Sequence, residues 1–80
     1  MNIETLMTKI AQELPPVGKY GKATKRDVAL FLDANREWRV MAGGHYAVDL
    51  GEYSGDYYGW GETPQEALEL CLERIRNNMR

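Results

Sequence analysis

Apolar residues recur with a helical period at both ends of this chain and with a strand period between them, all within 80 residues. That change of period constrains the fold more than any other feature, because each periodic face needs a partner to bury it. Ile3, Leu6, Met7, Ile10, Ala11 and Leu14 follow i, i+3, i+4, i+7 spacing and predict a helix over 3–14. Asn2 suits its N-cap, Glu4 suits the positive end of its dipole, and Pro15-Pro16 ends it. Thr63-Pro64-Gln65-Glu66 is a capping box with proline at the first helical position, which predicts a second helix over 64–77. Its stripe is Ala67, Leu68, Cys71, Leu72, Ile75 and Met79, with Leu70 off it.

Between the helices, Val28, Leu30 and Leu32 alternate with Ala29 and Phe31 and predict a strand over 28–33. Asp33-Ala34-Asn35-Arg36 has turn chemistry. Trp38, Val40 and Ala42 alternate with Glu37, Arg39 and Met41, predicting a strand over 37–42 that Gly43-Gly44 breaks. A third strand is predicted over 56–60, with Tyr58 and Trp60 inward and Tyr57 and Gly59 outward. Residues 45–50 could add a short fourth. The expected fold is one α+β domain over 1–80, a two-layer helix–three-stranded antiparallel sheet–helix sandwich (αβββα). Its expected core is Leu6, Ile10, Leu14, Val28, Leu30, Leu32, Val40, Leu68, Leu72 and Ile75.

Composition narrows function. Ten basic against twelve acidic residues leave a formal charge of −2. No apolar run approaches the ~18 residues of a membrane span, and Glu4 stands where a secretory signal would carry a base. The single cysteine, Cys71, forms no internal disulfide and falls on a buried helical stripe; a reducing, cytoplasmic setting is expected. His45 is the only histidine, so no two-histidine metal motif exists. The acids of Asp49-Leu50-Gly51-Glu52-Tyr53-Ser54-Gly55-Asp56 lack the alternating ligands of a calcium loop. Gly59-Trp60-Gly61 is followed by no Lys-Ser/Thr and is not a phosphate loop. The expectation is a non-enzymatic chain without metal or cofactor.

Charge is segregated along the chain. Residues 15–26 carry Lys19, Lys22, Lys25 and Arg26 with no acid, beside Tyr20. Residues 45–62 carry Asp49, Glu52, Asp56 and Glu62 with no Lys or Arg, and hold Tyr46, Tyr53, Tyr57, Tyr58 and Trp60. The leading expectation is a protein-interaction surface at Tyr46, Asp49, Glu52, Tyr53, Asp56 and Tyr57. Its tyrosines would anchor a basic protein partner, and its carboxylates would steer it. The rival is a nucleic-acid binder using Lys19, Tyr20, Lys22, Lys25 and Arg26, with Arg36 and Arg39 beside them. The third is a homodimeric assembly protein, because two helices on one side of the sheet leave Phe31 and Met41, with Tyr57, as an apolar patch on the other. In the alternative to that dimer, residues 43–55 cover Phe31 as a lid.

The helix–three strands–helix order, with Gly59-Trp60-Gly61 before the last helix, resembles the double-stranded RNA-binding domain. That family places lysines where this chain has Glu62 and Glu66, so its RNA contact does not carry over. Gly61-Glu62-Thr63-Pro64-Gln65-Glu66-Ala67-Leu68, within 57–72, resembles the strand-to-helix corner of HicB-type antitoxins. In size, acidity and layout the chain is similar to small phage and prophage accessory proteins, including some anti-CRISPR proteins. That likeness implies an inhibitor occupying a host nucleic-acid-processing complex.

Overall fold

The caps expected from the sequence form, and they delimit both helices. In the computed structural model, which describes residues 2–16, 26–43, 45–47, 52–54 and 57–78, the Thr5 N–H donates to Asn2 Oδ1 at 2.7 Å and opens α1 (Ile3–Glu13). Leu14 is extended, as a residue before proline must be. The Arg26 guanidinium closes that end, donating to the carbonyls of Ala11 at 2.8 Å and Leu14 at 3.0 Å. A cation on carbonyls at a helix C-terminus meets both their unfilled acceptors and the negative end of the dipole. At the other helix, α2 (Pro64–Asn78), the Glu66 N–H donates to Thr63 Oγ1 at 3.1 Å. The Glu66 carboxylate reaches back to the Glu62 N–H at 3.2 Å.

Between the helices run β1 (Val28–Leu32), β2 (Trp38–Ala42), β3 (His45–Ala47), β4 (Glu52–Ser54) and β5 (Tyr57–Gly61). The main sheet is three-stranded and antiparallel in the order β1-β2-β5, while β3 and β4 pair with each other as a separate hairpin. This is the α+β helix–sheet–helix arrangement expected. The β3–β4 hairpin realises the fourth strand over part of 45–50 and adds β4, for which the sequence carried no alternation. Asp33 leaves β1 to build the β1–β2 turn, its Oδ1 accepting from the N–H groups of Asn35 at 2.8 Å and Glu37 at 2.9 Å. Arg36 adopts φ 62° there, the left-handed position that closes a three-residue hairpin loop.

Leu6, Ile10, Leu14, Val40, Ala42, Tyr57, Ala67, Leu68, Cys71, Leu72 and Ile75 form the buried core. Two expectations are corrected here. Tyr57 and Gly59 face the helices, and Tyr58 and Trp60 face away, the reverse of the predicted phase. The cause lies at the glycines: a Cβ on Gly59 would stand 2.1 Å from the Ala67 carbonyl oxygen and 2.9 Å from Cys71 Cβ. Only a glycine facing α2 lets helix and strand approach so closely, and that choice turns the even positions of β5 outward. The second correction concerns Leu32, which is 50% exposed. The helix layer sits chiefly over β5 and β2, and α1 packs mainly against α2, so the end of β1 is left uncovered. Val28 and Leu30 are half-buried at the core margin. Arg76 joins the two helices, its Nε and Nη2 donating to the Glu13 carboxylate at 2.8 and 2.9 Å. That hydrogen-bonded guanidinium holds the Glu13 carboxyl below its ordinary range.

Candidate functional site

The solvent face of the main sheet is where this fold departs from a closed two-layer sandwich. Strand register places Phe31, Arg39 and Trp60 in one cross-strand row and Ala29, Met41 and Tyr58 in the next. Phe31, Tyr58 and Trp60 are respectively 37%, 41% and 41% exposed. With Arg39, Met41 and Arg74 they line a groove of about 300 Å³. An antiparallel sheet with one face in water ordinarily alternates polar residues outward, so three aromatics and a methionine here are a departure.

The two arginines play different parts. Arg39 donates from Nε to Asp33 Oδ2 at 2.6 Å, and its Nη2 lies 3.4 Å from Glu37 Oε1. The Asp33 carboxyl is held below its ordinary range, first by that Arg39 bond and then by the turn N–H of Glu37. Arg39 is therefore an ion-paired plate between Phe31 and Trp60, its charge largely answered locally. Arg74 belongs to α2, on the opposite side of the sheet. To reach the Trp60 ring, whose centroid lies 4.3 Å from its Cζ, it passes around the β5 edge. A guanidinium over the ring is attracted by its π face, and Trp60 stays 41% exposed beside it.

The sequence-predicted positions are divided by the structure. Phe31 and Met41 share the open face as expected, joined by Tyr58 and Trp60 and not by Tyr57. Tyr57 is 3% exposed and packs in the core, which removes it from the interaction surface. Tyr46 pairs with Tyr53, and Ala47 with Glu52, in the β3–β4 ladder. Asp49 and Asp56 lie outside the described residues, as do Lys19, Tyr20, Lys22 and Lys25 and residues 44, 48–51 and 55 of the 43–55 lid segment. Arg26 is committed to the C-terminus of α1, and Arg36 sits in the β1–β2 turn. Sequence reading missed Tyr58, Trp60 and Arg74 as surface groups; the Gly59-x-Gly61 alternation was the signal for the first two.

Cys71 is fully buried, and burial pushes its thiol up to about 12, away from nucleophilic use. Among the described residues no group of three His, Cys, Asp or Glu side chains stands close enough to hold a metal ion, and no helix is long and apolar enough to cross a membrane. No protein family, curated protein or solved structure matches the chain.

Proposed function

We propose that this chain is a non-enzymatic interaction module that grips a protein partner in the groove on the open face of its sheet. The observation carrying this reading is the exposure of Phe31, Tyr58 and Trp60 side by side around a groove of about 300 Å³. Aromatic residues offer rigid contact area at low entropic cost and dominate interface energetics, so Trp60 and Phe31 are the anchors. The partner presents an apolar protrusion with basic neighbours. Segment 45–62, which leads into β5, carries Asp49, Glu52, Asp56 and Glu62 and no Lys or Arg, and Arg39 is already ion-paired. Tyr46 and Tyr53 belong to the same segment. The phage-type setting, an inhibitor occupying a host nucleic-acid-processing complex, rests on likeness of size and layout.

A single-stranded nucleic acid is the competitor, since bases stack on exposed aromatics of sheet faces. The excess of acids in segment 45–62 opposes a phosphate backbone, whereas Arg39 and Arg74 in the groove lining favour one, so the titration decides between them. Affinity capture from a bacterial lysate with parent, Trp60→Ala and Phe31→Glu, beside a Trp fluorescence titration with a single-stranded oligonucleotide at low salt, separates the two. A captured protein lost on both substitutions, with no fluorescence change from the oligonucleotide, is the expected result. Retention of the same proteins by both variants, or quenching by the oligonucleotide, would overturn the protein reading.

A further inference from the structure

We infer that the chain pairs with a second copy of itself through the outer edge of β1, joining two sheets into one across a two-fold axis. The order β1-β2-β5 makes β1 and β5 the edges of the sheet, and Arg74 crosses the β5 edge to reach Trp60. No described strand pairs with the outer side of β1. Edges that must stay solitary are blunted by charges, proline or bulges, whereas β1 reads Val-Ala-Leu-Phe-Leu and exposes Leu32 on one face and Phe31 on the other.

The hydrogen-bond phase makes that edge usable. The Gly43 N–H donates to the Asp27 carbonyl at 2.9 Å, and the Asp33 N–H to the Glu37 carbonyl at 3.0 Å. Antiparallel alternation then turns Ala29 and Phe31, like Asp27 and Asp33, toward β2, and turns the N–H and C=O groups of Val28, Leu30 and Leu32 outward. With a two-fold axis through Leu30, perpendicular to the sheet, Leu30 meets its own copy, Val28 meets Leu32, and Ala29 meets Phe31. This register alone pairs every residue of β1 and lets all three outward-facing residues exchange hydrogen bonds. It is also complementary in bulk: exposed Leu32 lies over Val28 on the helix side, and exposed Phe31 lies over Ala29 on the open side. Such isologous pairing keeps both helix layers on one side and both grooves open on the other. It stands independently of what the grooves bind.

At the ends of the new ladder Asp27 of one copy faces Asp33 of the other. Asp33 is already bonded to Arg39, so the residual repulsion falls on Asp27 and provides a handle. Analytical ultracentrifugation over a concentration series tests the pairing. The parent is expected to dimerise. Leu32→Lys and Leu32→Pro are expected to be monomeric with the parent's circular dichroism, since a proline there removes only an outward N–H. Asp27→Lys should tighten the dimer about two- to three-fold, as the charge facing each Asp33 changes sign while Arg39 already answers much of the Asp33 charge. Trp60→Glu should leave it unchanged. Should Leu32→Pro fail to fold, Leu32→Lys carries the test. A parent monomeric at ~100 μM, where micromolar dimers are formed, would refute the pairing. So would a dimer that survives Leu32→Lys, or one that Trp60→Glu dissolves. An Asp27→Lys dimer no tighter than the parent's would overturn the register.

Discussion

Replacing Gly59 with alanine adds one carbon where β5 and α2 are closest. The new Cβ would stand 2.1 Å from the Ala67 carbonyl oxygen, 2.8 Å from the Cys71 backbone nitrogen and 2.9 Å from Cys71 Cβ. None of these atoms is the tip of a flexible side chain, so no rotamer change relieves the overlap. Ordinary contact needs roughly 3.5 Å, so α2 must lift from the sheet by more than an ångström at its tightest point. Lifting loosens Ala67, Leu68 and Cys71 together, all fully buried. Overpacking of a rigid core costs about 1–3 kcal/mol, and backbone-on-backbone overlap belongs at the top of that range. A single core of this size supplies only about 3–5 kcal/mol. Gly59→Ala is therefore expected to cost about 3 kcal/mol and to lower the melting temperature by roughly 12–24 °C. Thermal and urea unfolding followed by circular dichroism measure it. Gly61→Ala, whose Cβ would lie 2.6 Å from Glu66 Cβ in the more yielding first turn of α2, should cost less. If Gly59→Ala unfolds at the parent's midpoint, α2 is not seated on Gly59, and the outward phase of Tyr58 and Trp60 loses its cause.

Leu68→Ala should cost about 2–5 kcal/mol in urea unfolding, enough to threaten folding, because Leu68 is fully buried. Tyr57→Ala should be comparably severe, whereas Trp60→Ala should cost about 1 kcal/mol or less, its measurable loss being the Arg74 stack. Arg26→Ala strips the C-terminus of α1 of its capping cation and should cost about 1–2 kcal/mol in the same assay. A thiol reagent should modify Cys71 only at the rate of unfolding, and full labelling of the native protein within seconds would contradict its burial. Glu13 titrates below its ordinary value when folded, so its contribution is present above about pH 4.5 and lost as pH falls through the folded value; Glu13→Gln should flatten that part of the acid-unfolding curve.

Local signals made the elements readable. Capping residues at Asn2 and Thr63, prolines at 15 and 64, and the Asp33 turn act within a few residues of the boundaries they set. Less legible was which side of each strand a second layer would cover. Leu32 has the same alternation as Val40, yet the first ends half exposed and the second wholly buried. The difference is tertiary: α2 lies over β5 and β2, and nothing in β1 announces its distance from that helix. Arg26 was similarly opaque, since its carbonyl partners sit 12 and 15 positions earlier in the chain.

The reversed phase of β5 shows how one backbone requirement sets both stability and surface. Hydrophobicity alone favours burying Tyr58 and Trp60, because they offer more apolar area than Tyr57 and two glycines. Packing α2 directly on the strand needs the opposite, as the approach at Gly59 shows. Side chains alternate strictly, so a strand cannot satisfy both, and close approach wins here. The apolar area thus left outside is not scattered. Register carries it beside Phe31 and Met41, on neighbouring rows of the same face, and Arg74 reaches around the edge to hold the indole in place. A helix seated on glycines and an aromatic groove on the far side are in this chain two consequences of a single choice. Variants that separate them, Gly59→Ala for the first and Trp60→Ala for the second, should therefore fail in different assays.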